Sequence, residues 1–315
     1  MKLYLVFSLL VLLGFSVFAQ EGEGYIGNTD APTMIRFTTD GFSKPKGGHL
    51  QGVQQLSDRH LVISGSSKAF AYFFVVEWED RIGADQSGRI ISFITINDDF
   101  PRMDFNHAGG IQLLGDTLAI GLEGGKGLHR SSVVFYDLSN PIYPKVLPGR
   151  INRKHDTAGA VGMVRMSEDS VLVAVGGWDS DVVDFYISDQ FPGPFDKVAT
   201  FDSGRLPDAL RKRWGSYQSL NLVKNGNTVQ LYGFCRSGAV NRMDCYVIDW
   251  GVGNDDGLLR ALDAAVFECG RLMSFRFGGG IAVEDRTDAG FSSSVKSVWV
   301  ITRNWKREVL VGWFK

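Results

Sequence analysis

Three histidines stand at related places in the chain and could converge on one site. His49 and His107 each lie just before a short apolar segment that opens with small residues, and His155 lies two residues before Thr157, which holds the matching place in the next segment. Imidazoles brought together in this way could bind zinc, iron or manganese. The three are therefore candidate metal ligands. The alternative is a structural role, in which each ring hydrogen-bonds a neighbouring backbone.

A second group of residues could recognise an anionic ligand. Arg211, Arg213, Trp214 and Tyr217 lie on one long insertion, where guanidinium groups could bind carboxylate or sulfate and aromatic rings could stack on a sugar. Lysines and arginines recur in other loops predicted for the same side, so we predict a basic face. The alternative is a set of solvated loops without a concerted field. The predicted ligand-binding residues are His49, Gln51, His107, Arg153, His155, Arg211, Arg213, Trp214, Tyr217, Gln218 and Arg276.

Five amide side chains occur in or next to segments that otherwise look like tightly packed strands: Gln51, Gln54, Gln112, Gln218 and Asn221. We predict that they line a central channel, where they bind ordered water or, alternatively, a polar ligand such as a sugar. Several aspartate-rich turns could hold calcium, but none has the spacing of a known calcium loop. We therefore predict no cofactor, with a transition metal or calcium as the alternative.

The chain contains three cysteines, Cys235, Cys245 and Cys269. A hairpin folded about Val240 would place Cys235 opposite Cys245, and a second one folded about Gly257 would place Cys245 opposite Cys269. We predict a Cys235–Cys245 disulfide, because the shorter connection fixes its register more tightly. A Cys245–Cys269 bridge and three free thiols are the alternatives.

The elements that must position these residues repeat along the chain. A small residue followed by an aliphatic anchor recurs at intervals of 50 to 61 residues, at Val53, Ile111, Val161, Leu220 and Ile281. Each repeat contains short strands joined by turns, and such short connections impose antiparallel pairing. Four strands per repeat at this period indicate a β-propeller. The sequence therefore predicts an all-β fold, a five-bladed β-propeller of four-stranded antiparallel blades.

The ring of blades needs a closure. Residues 34–38 alternate as a strand before the first repeat, and the last repeat is poorly defined between Ile281 and Val298. We predict that this N-terminal strand pairs with the last blade and closes the ring, while Val309 to Phe314 forms that blade's outer strand. In the alternative, the N-terminal strand caps the first blade.

Two segments resemble known repeats. The segment VVFYDLSNP, from Val133 to Pro141, resembles the LVIVD repeat of bacterial surface and secreted proteins. The segment LVAVGGW, from Leu172 to Trp178, resembles the double-glycine strand of kelch repeats. Both resemblances imply a propeller, and neither implies a reaction.

The N-terminus predicts export. Lys2 precedes an apolar run that ends with Val17-Phe18-Ala19, the pattern of a signal peptide cleaved after Ala19. The run is shorter than the roughly 20 residues of a membrane span. We divide the chain into a signal peptide (1–19), an extended lead-in (20–33) and one propeller domain (34–315), and predict a secreted or periplasmic bacterial protein with no span in the mature chain. The formal net charge of −2 argues against nucleic acid as a partner.

These observations predict an exported, non-enzymatic propeller that binds an anionic glycan or a protein partner on one basic face. One alternative is a metal-assisted lyase or hydrolase acting on an anionic polysaccharide. Against it, propeller glycosidases place carboxylates on their inner strands, whereas the predicted inner strands carry none before Glu284. A structural role in a surface assembly is the other alternative. The sequence leaves the oligomeric state open.

Overall fold

Antiparallel hairpins make up most of the computed structural model. It describes residues 32–39, 41–43, 45–79, 86–124, 130–249, 259–269, 272–286, 292–302 and 308–314. Two helices of four residues each, α1 (Ile96–Asp99) and α2 (Asp208–Arg211), interrupt the strands. Within these ranges no helix has the length and apolar character needed to cross a membrane. The predicted signal peptide and its cleavage site lie outside the described residues.

Three of the four described sheets are four-stranded and antiparallel, and their strands lie in chain order without a crossover. They are called here the second, third and fourth sheets, because strands of the remaining sheet precede them in the chain. The second sheet contains β6 (His107–Leu114), β7 (Thr117–Glu123), β8 (Ser131–Asp137) and β9 (Lys145–Arg153). The third sheet contains β10 (Ala160–Arg165), β11 (Val171–Gly176), β12 (Val182–Ser188) and β13 (Asp196–Asp202). The fourth sheet contains β14 (Ser219–Asn225), β15 (Thr228–Ser237), β16 (Val240–Ile248) and β17 (Leu259–Phe267).

The remaining strands form one eight-stranded sheet, called here the joined sheet. Its N-terminal half contains β2 (Leu50–Ser57), β3 (His60–Ser66), β4 (Ala71–Glu79) and β5 (Gln86–Thr95). Its other half contains β18 (Gly279–Arg286), β19 (Ser292–Ile301), β20 (Glu308–Phe314) and β1 (Thr33–Thr38). The strand order across the sheet is β18-β19-β20-β1-β5-β4-β3-β2.

Strand β1 holds the two halves of the joined sheet together. Phe37 pairs antiparallel with Val309 of β20 and parallel with Gly88 of β5. The prediction that residues 34–38 pair with the last repeat is confirmed. The predicted outer strand is wrong, however, because β20 is the third strand of that half. The fourth position is filled by β1, which therefore lies outside β20.

Hydrophobic clusters lie between neighbouring sheets. One of them packs Leu172 and Phe185 of the third sheet against Leu220 and Leu231 of the fourth, and all four side chains are buried. A similar cluster packs Phe73 of the joined sheet against Tyr136 of the second. Burying each large apolar side chain stabilises the fold by about 1.5–3 kcal/mol relative to exposing it. Each sheet therefore depends on its neighbours for its core.

The first strands of the repeats, here called the inner strands, pack directly against one another. They are β2, β6, β10, β14 and β18, and each carries one of the buried aliphatic anchors of the sequence repeat. The small residue before the anchor permits this close approach. A Cβ on Gly110 would lie 2.8 Å from the carbonyl oxygen of Gln218, and one on Gly52 would lie 2.9 Å from Cγ1 of Ile111.

Three of the amides predicted to line a channel instead cross-link the inner strands. Gln54 donates to Oδ1 of Asn221 at 3.2 Å. Oε1 of Gln112 accepts from the backbone N–H groups of Met163 and Leu222, each at 2.7 Å. These side chains are buried and bonded to protein, while Gln54 and Gln112 also line a cavity. Their binding of channel water or ligand stays a prediction. This layer of amides separates cavities at the two ends of the inner strands.

The predicted Cys235–Cys245 disulfide is absent, and all three cysteines are buried with none joined in a disulfide. The hairpin turns between Ser237 and Val240 rather than about Val240, so Cys235 lies opposite Arg242 and Cys245 lies opposite Tyr232. A pairing shift by an odd number of residues reverses the face on which a side chain projects. Cys235 therefore packs between the third and fourth sheets, while Cys245 and Cys269 pack on the other face of the fourth sheet.

Candidate functional site

The larger cavity, of about 530 Å³, opens at the end where the chain enters the inner strands. Its walls come from the loops that precede the inner strands and from the loops that follow the second strands, as the repeat predicts. The residues that line it are Gly48, His49, Gln51, Ser66, Ser67, Asn106, His107, Glu123, Gly124, Gly159, Gly177, Trp178, Asp179, Tyr217, Gln218, Arg276 and Phe277.

A histidine and a carboxylate meet in this cavity. His107 begins β6 and Glu123 ends β7, and the antiparallel register pairs these two residues directly. Nδ1 of His107 lies 3.1 Å from Oε1 of Glu123, off the line of a well-aligned hydrogen bond. The other carboxylate oxygen accepts the backbone N–H of Ala158 at 3.1 Å. The buried Glu123 is therefore fixed by the loop before β10, and its carboxylate lies beside the imidazole of His107.

Gln51 connects the two histidines of the cavity. Its Nε2 lies 2.7 Å from Nε2 of His107 and also contacts Nε2 of His49. An amide N–H₂ group can donate to two acceptors, which fits two imidazoles that present lone pairs at Nε2. Nδ1 of His107 faces Glu123 on the other side of the ring. Gln51 therefore lies between the two imidazoles of the cavity.

A loop after β11 supplies the next group of side chains. Trp178 projects into solvent at the cavity, while Asp179 accepts a hydrogen bond from Nε2 of Gln218 at 2.9 Å. Glu123, Trp178 and Asp179 were not among the residues singled out as ligand-binding from the sequence. The available signal was their place at the end of, or just after, the second strand of a repeat, next to loops predicted to share this face.

The structure brings together part of the predicted ligand-binding set. The members that line the cavity are His49, Gln51, His107, Tyr217, Gln218 and Arg276. His155 is exposed and is not among the lining residues. The three histidines therefore do not converge. The described residues contain no group of three or more His, Cys, Asp or Glu side chains placed to hold a metal ion.

Arg153, predicted to bind a ligand, is instead a buried ion-pair partner. Its side chain is 2 % exposed and its guanidinium lies 2.8 Å from Asp184 and 3.1 Å from Asp156. Burial opposes ionisation of Asp184, but hydrogen bonds from Lys197, Arg153 and Thr200 outweigh it and hold the pKa of Asp184 below its usual value. The arginine therefore links the second and third sheets and is not available to a ligand.

Most of the long insertion also lies apart from the cavity, although Tyr217 at its end lines it. Arg211 pairs with Asp208 at 2.6 Å on α2, and neither Arg211 nor Arg213 lines the cavity. Trp214 packs against Phe201 with ring centroids 4.6 Å apart and donates its indole N–H to the carbonyl of Ser180 at 3.0 Å. The ring is half-buried between the third and fourth sheets and does not line the larger cavity, so a sugar platform at Trp214 stays a prediction.

Tyr217 connects the cavity to a buried polar network. Its hydroxyl donates to Oδ2 of Asp244 at 2.5 Å and lies 2.7 Å from the hydroxyl of Tyr246. Burial raises the pKa of Asp244, even though Tyr217 and Arg242 bond its carboxylate. Burial also raises the pKa of Tyr217, so its phenol keeps its proton. Tyr217 therefore acts as a fixed wall of the cavity.

The charge of the cavity differs from the predicted basic face. Among its described lining residues, Arg276 is the single permanent cation and Glu123 and Asp179 are the carboxylates. The predicted cations Arg153, Arg211 and Arg213 lie elsewhere. A concentrated positive field is therefore not a property of the described lining.

Comparisons with known proteins identify the architecture. No family model and no curated protein matches this chain, so the LVIVD and kelch resemblances are not confirmed. Among solved structures it is similar to Zg3597, a family 117 glycoside hydrolase from the marine bacterium Zobellia galactanivorans, with a TM-score of 0.52 and 10% identity over 88% of this chain and 90% of that one. An alpha-L-arabinofuranosidase from Podospora anserina gives a TM-score of 0.48 at 10% identity, over 90% and 96% of the two chains.

The fold is therefore all-β and β-propeller-like, of a kind found in glycoside hydrolases. The similarity to Zg3597 corrects the interpretation of this chain as a non-enzymatic binding protein. That interpretation depended on a basic face and on a lack of inner-strand carboxylates. The structure instead supplies a carboxylate–histidine pair at the end of a second strand, which inspection of the inner strands could not detect.

Proposed function

We propose that this protein is a carbohydrate-active enzyme that cleaves glycosidic bonds in the cavity formed around His107 and Glu123. The observation that carries the proposal is the His107–Glu123 pair, which opens into a cavity of about 530 Å³ on a fold shared with a glycoside hydrolase. The same proposal includes five blades, with the joined sheet counted as two blades united by β1. Export, predicted from residues 1–19, would bring the enzyme to polymeric glycans.

His107 is the proposed proton-transfer group. Glycosidic cleavage requires proton transfer at the leaving oxygen or at the attacking water. Glu123 holds the imidazole from its Nδ1 side, so Nε2 is the nitrogen that takes up and returns the proton. A substrate hydroxyl or water in the cavity would replace the contact that Gln51 makes with Nε2. Gln51 thus keeps the nitrogen oriented before substrate binds.

A lyase is the second candidate, favoured by Arg276 in the cavity wall. A guanidinium can neutralise the carboxylate of a uronate, and a neutral imidazole can then remove the adjacent proton. Hydrolysis consumes water and leaves saturated products, whereas elimination leaves an unsaturated sugar that absorbs ultraviolet light. The products therefore distinguish the two reactions.

The test measures new reducing ends and ultraviolet absorbance with a panel of neutral and uronate-containing polysaccharides. We expect saturated cleavage products with the wild-type protein and with His60→Ala, and loss of cleavage in His107→Ala. His60 is a suitable control because it lies in the β2–β3 hairpin, away from the cavity lining. Full activity in His107→Ala, or no turnover of any glycan by the folded wild type, would contradict the proposal.

A further inference from the structure

The indole of Trp178 is exposed at the cavity. Its relative accessibility is 62%, compared with 4% for Trp78 and 1% for Trp299. Trp214 is also packed inside, against Phe201, Tyr217 and Tyr246. A large aromatic surface left in water at a cavity is available to a ligand with an apolar face.

The backbone that presents Trp178 adopts an unusual conformation. Asp179 and Ser180 follow it with φ angles of 55° and 54°, a region that residues with side chains seldom adopt. Two such residues in succession persist only where surrounding contacts impose them, and such strain is concentrated at functional sites. The turn after β11 is therefore held in place by its surroundings.

The fourth sheet and its leading loop provide those contacts. Oγ of the fully buried Ser180 donates to the carbonyl of Tyr217 at 2.8 Å, and the indole N–H of Trp214 donates to the carbonyl of Ser180 at 3.0 Å. Gln218 donates to Asp179 at 2.9 Å. Three hydrogen bonds thus fix the loop at Asp179 and Ser180, directly after Trp178.

We propose that Trp178 and Asp179 form a subsite for a neutral sugar ring, which names the substrate class of the enzyme proposed above and rests on that function. The C–H face of a sugar ring stacks on the indole and excludes water from both apolar surfaces. The Asp179 carboxylate beside it accepts hydrogen bonds from sugar hydroxyls and repels a uronate or sulfate. The subsite therefore selects against charged rings.

Charge selection follows from the neighbours of the indole. Asp179 is half-buried and adjacent to Trp178, and Gln218 fixes its side chain at the cavity. Nε2 of Gln218 already donates to that carboxylate, and the amide offers no positive charge to offset it. Substitution Asp179→Asn removes the charge, and Asn is among the residues that tolerate a positive φ. This variant therefore tests charge with little change in backbone preference.

The experiment is a binding titration with a panel of neutral gluco-, galacto-, xylo- and arabino-oligosaccharides and with oligogalacturonate. Calorimetry gives affinities for wild type, Trp178→Ala, Trp178→Phe and Asp179→Asn, and tryptophan fluorescence reports whether the indole is covered. Tyr143→Ala is the matched control, since Tyr143 is 70% exposed in the turn between β8 and β9, outside the cavity lining. His107→Ala is titrated in parallel to separate binding from cleavage.

We expect at least one neutral oligosaccharide to bind the wild type and Tyr143→Ala equally, with affinity reduced about tenfold in Trp178→Ala and partly kept in Trp178→Phe. Asp179→Asn should reduce the ratio between the affinity for neutral ligands and the affinity for oligogalacturonate. Wild-type affinity in Trp178→Ala, no binding of any neutral oligosaccharide, or tighter binding of oligogalacturonate by wild type would overturn the subsite. Binding that persists in His107→Ala without cleavage supports both proposals, whereas binding to a wild type that cleaves nothing supports the subsite alone.

Discussion

The two ends of the inner strands differ in chemistry although the same repeat builds both. One end holds the cavity with His107, Glu123 and Asp179, and the other holds a cavity of about 180 Å³ lined mainly by aliphatic side chains and amides. At that second end three of the inner hairpins close with two-residue turns, such as Gly115-Asp116 and Gly226-Asn227. Tight turns leave few side chains to extend over the axis. Among the described residues, His107, Glu123 and Asp179 meet at the end where longer loops come together.

Altering one carboxylate at each end tests most directly whether the two ends differ in function. Glu123→Gln removes the carboxylate charge 3.1 Å from Nδ1 of His107, and we expect kcat/KM for glycan cleavage to fall by about a thousandfold, within the range for general acid–base groups. Asp116→Asn changes a carboxylate of the opposite cavity and should leave the rate unchanged. Reducing-end assays of both variants give the answer, and equal losses would show that the ends are not functionally distinct.

A second prediction separates the residues that line the cavity from those that hold the sheets together. Asp184→Asn deprives the buried Arg153 of its 2.8 Å partner and should lower the free energy of unfolding by about 3 kcal/mol, while KM stays the same. Asp104→Asn breaks an exposed pair with Arg130 and should change stability by less than about 0.5 kcal/mol. Urea unfolding measures both. If Asp184→Asn changed KM strongly and left stability intact, Arg153 would instead be a ligand-binding residue, as the sequence predicted.

The layer between the two ends gives a third prediction. Gln112→Leu leaves the N–H groups of Met163 and Leu222 without their 2.7 Å acceptor, so we expect a loss of about 2 kcal/mol in the free energy of unfolding. Gln55→Leu, in the cavity at the second end, is the control and should have little effect. Denaturant titration of the pair tests whether the amides act as cross-links. Equal stability of Gln112→Leu and wild type would instead favour water as the partner of these amides.

The smallest predicted effect is a pH dependence at Asp184. Its folded pKa lies below the ordinary 3.8, so its stabilising contribution is present above that pH and is lost as the pH falls through the folded pKa. The difference in unfolding free energy between wild type and Asp184→Asn should therefore be constant from pH 7 to about 5 and shrink on further acidification. Unfolding curves at several pH values test this. A difference in unfolding free energy that grows in acid would show that the predicted direction of the pH dependence is wrong.

The same pH series should give the opposite result at Asp244. Burial raises its folded pKa, so the stabilising effect of its protonated form is present at low pH and is lost as the pH rises through that pKa. The loss in unfolding free energy caused by Asp244→Asn is therefore expected to be smallest at neutral pH. The two aspartates differ because Lys197, Arg153 and Thr200 all bond Asp184, whereas burial prevails at Asp244. A larger loss at pH 7 than at pH 4 in Asp244→Asn would contradict this assignment.

The strands and their order along the chain could be predicted from the sequence alone. The anchors Val53 and Ile111 fall on inner strands, and residues 34–38 pair with β20 as expected. Strand alternation and turn residues are local, and a repeated pattern shows which loops share one end. For this reason the repeat alone was enough to place His49 and His107 at one end of the inner strands, where both line the larger cavity.

Which side chains meet between those loops depends on tertiary packing. The hairpin register separated Cys235 from Cys245, and the approach of the third sheet turned Arg153 into an ion-pair partner of Asp184. The pairing of His107 with Glu123 depends on how β6 meets β7. Side chains from different strands and sheets meet according to strand register and packing, and a single-residue shift changes which ones face each other. The charge of the cavity therefore follows from the packed sheets.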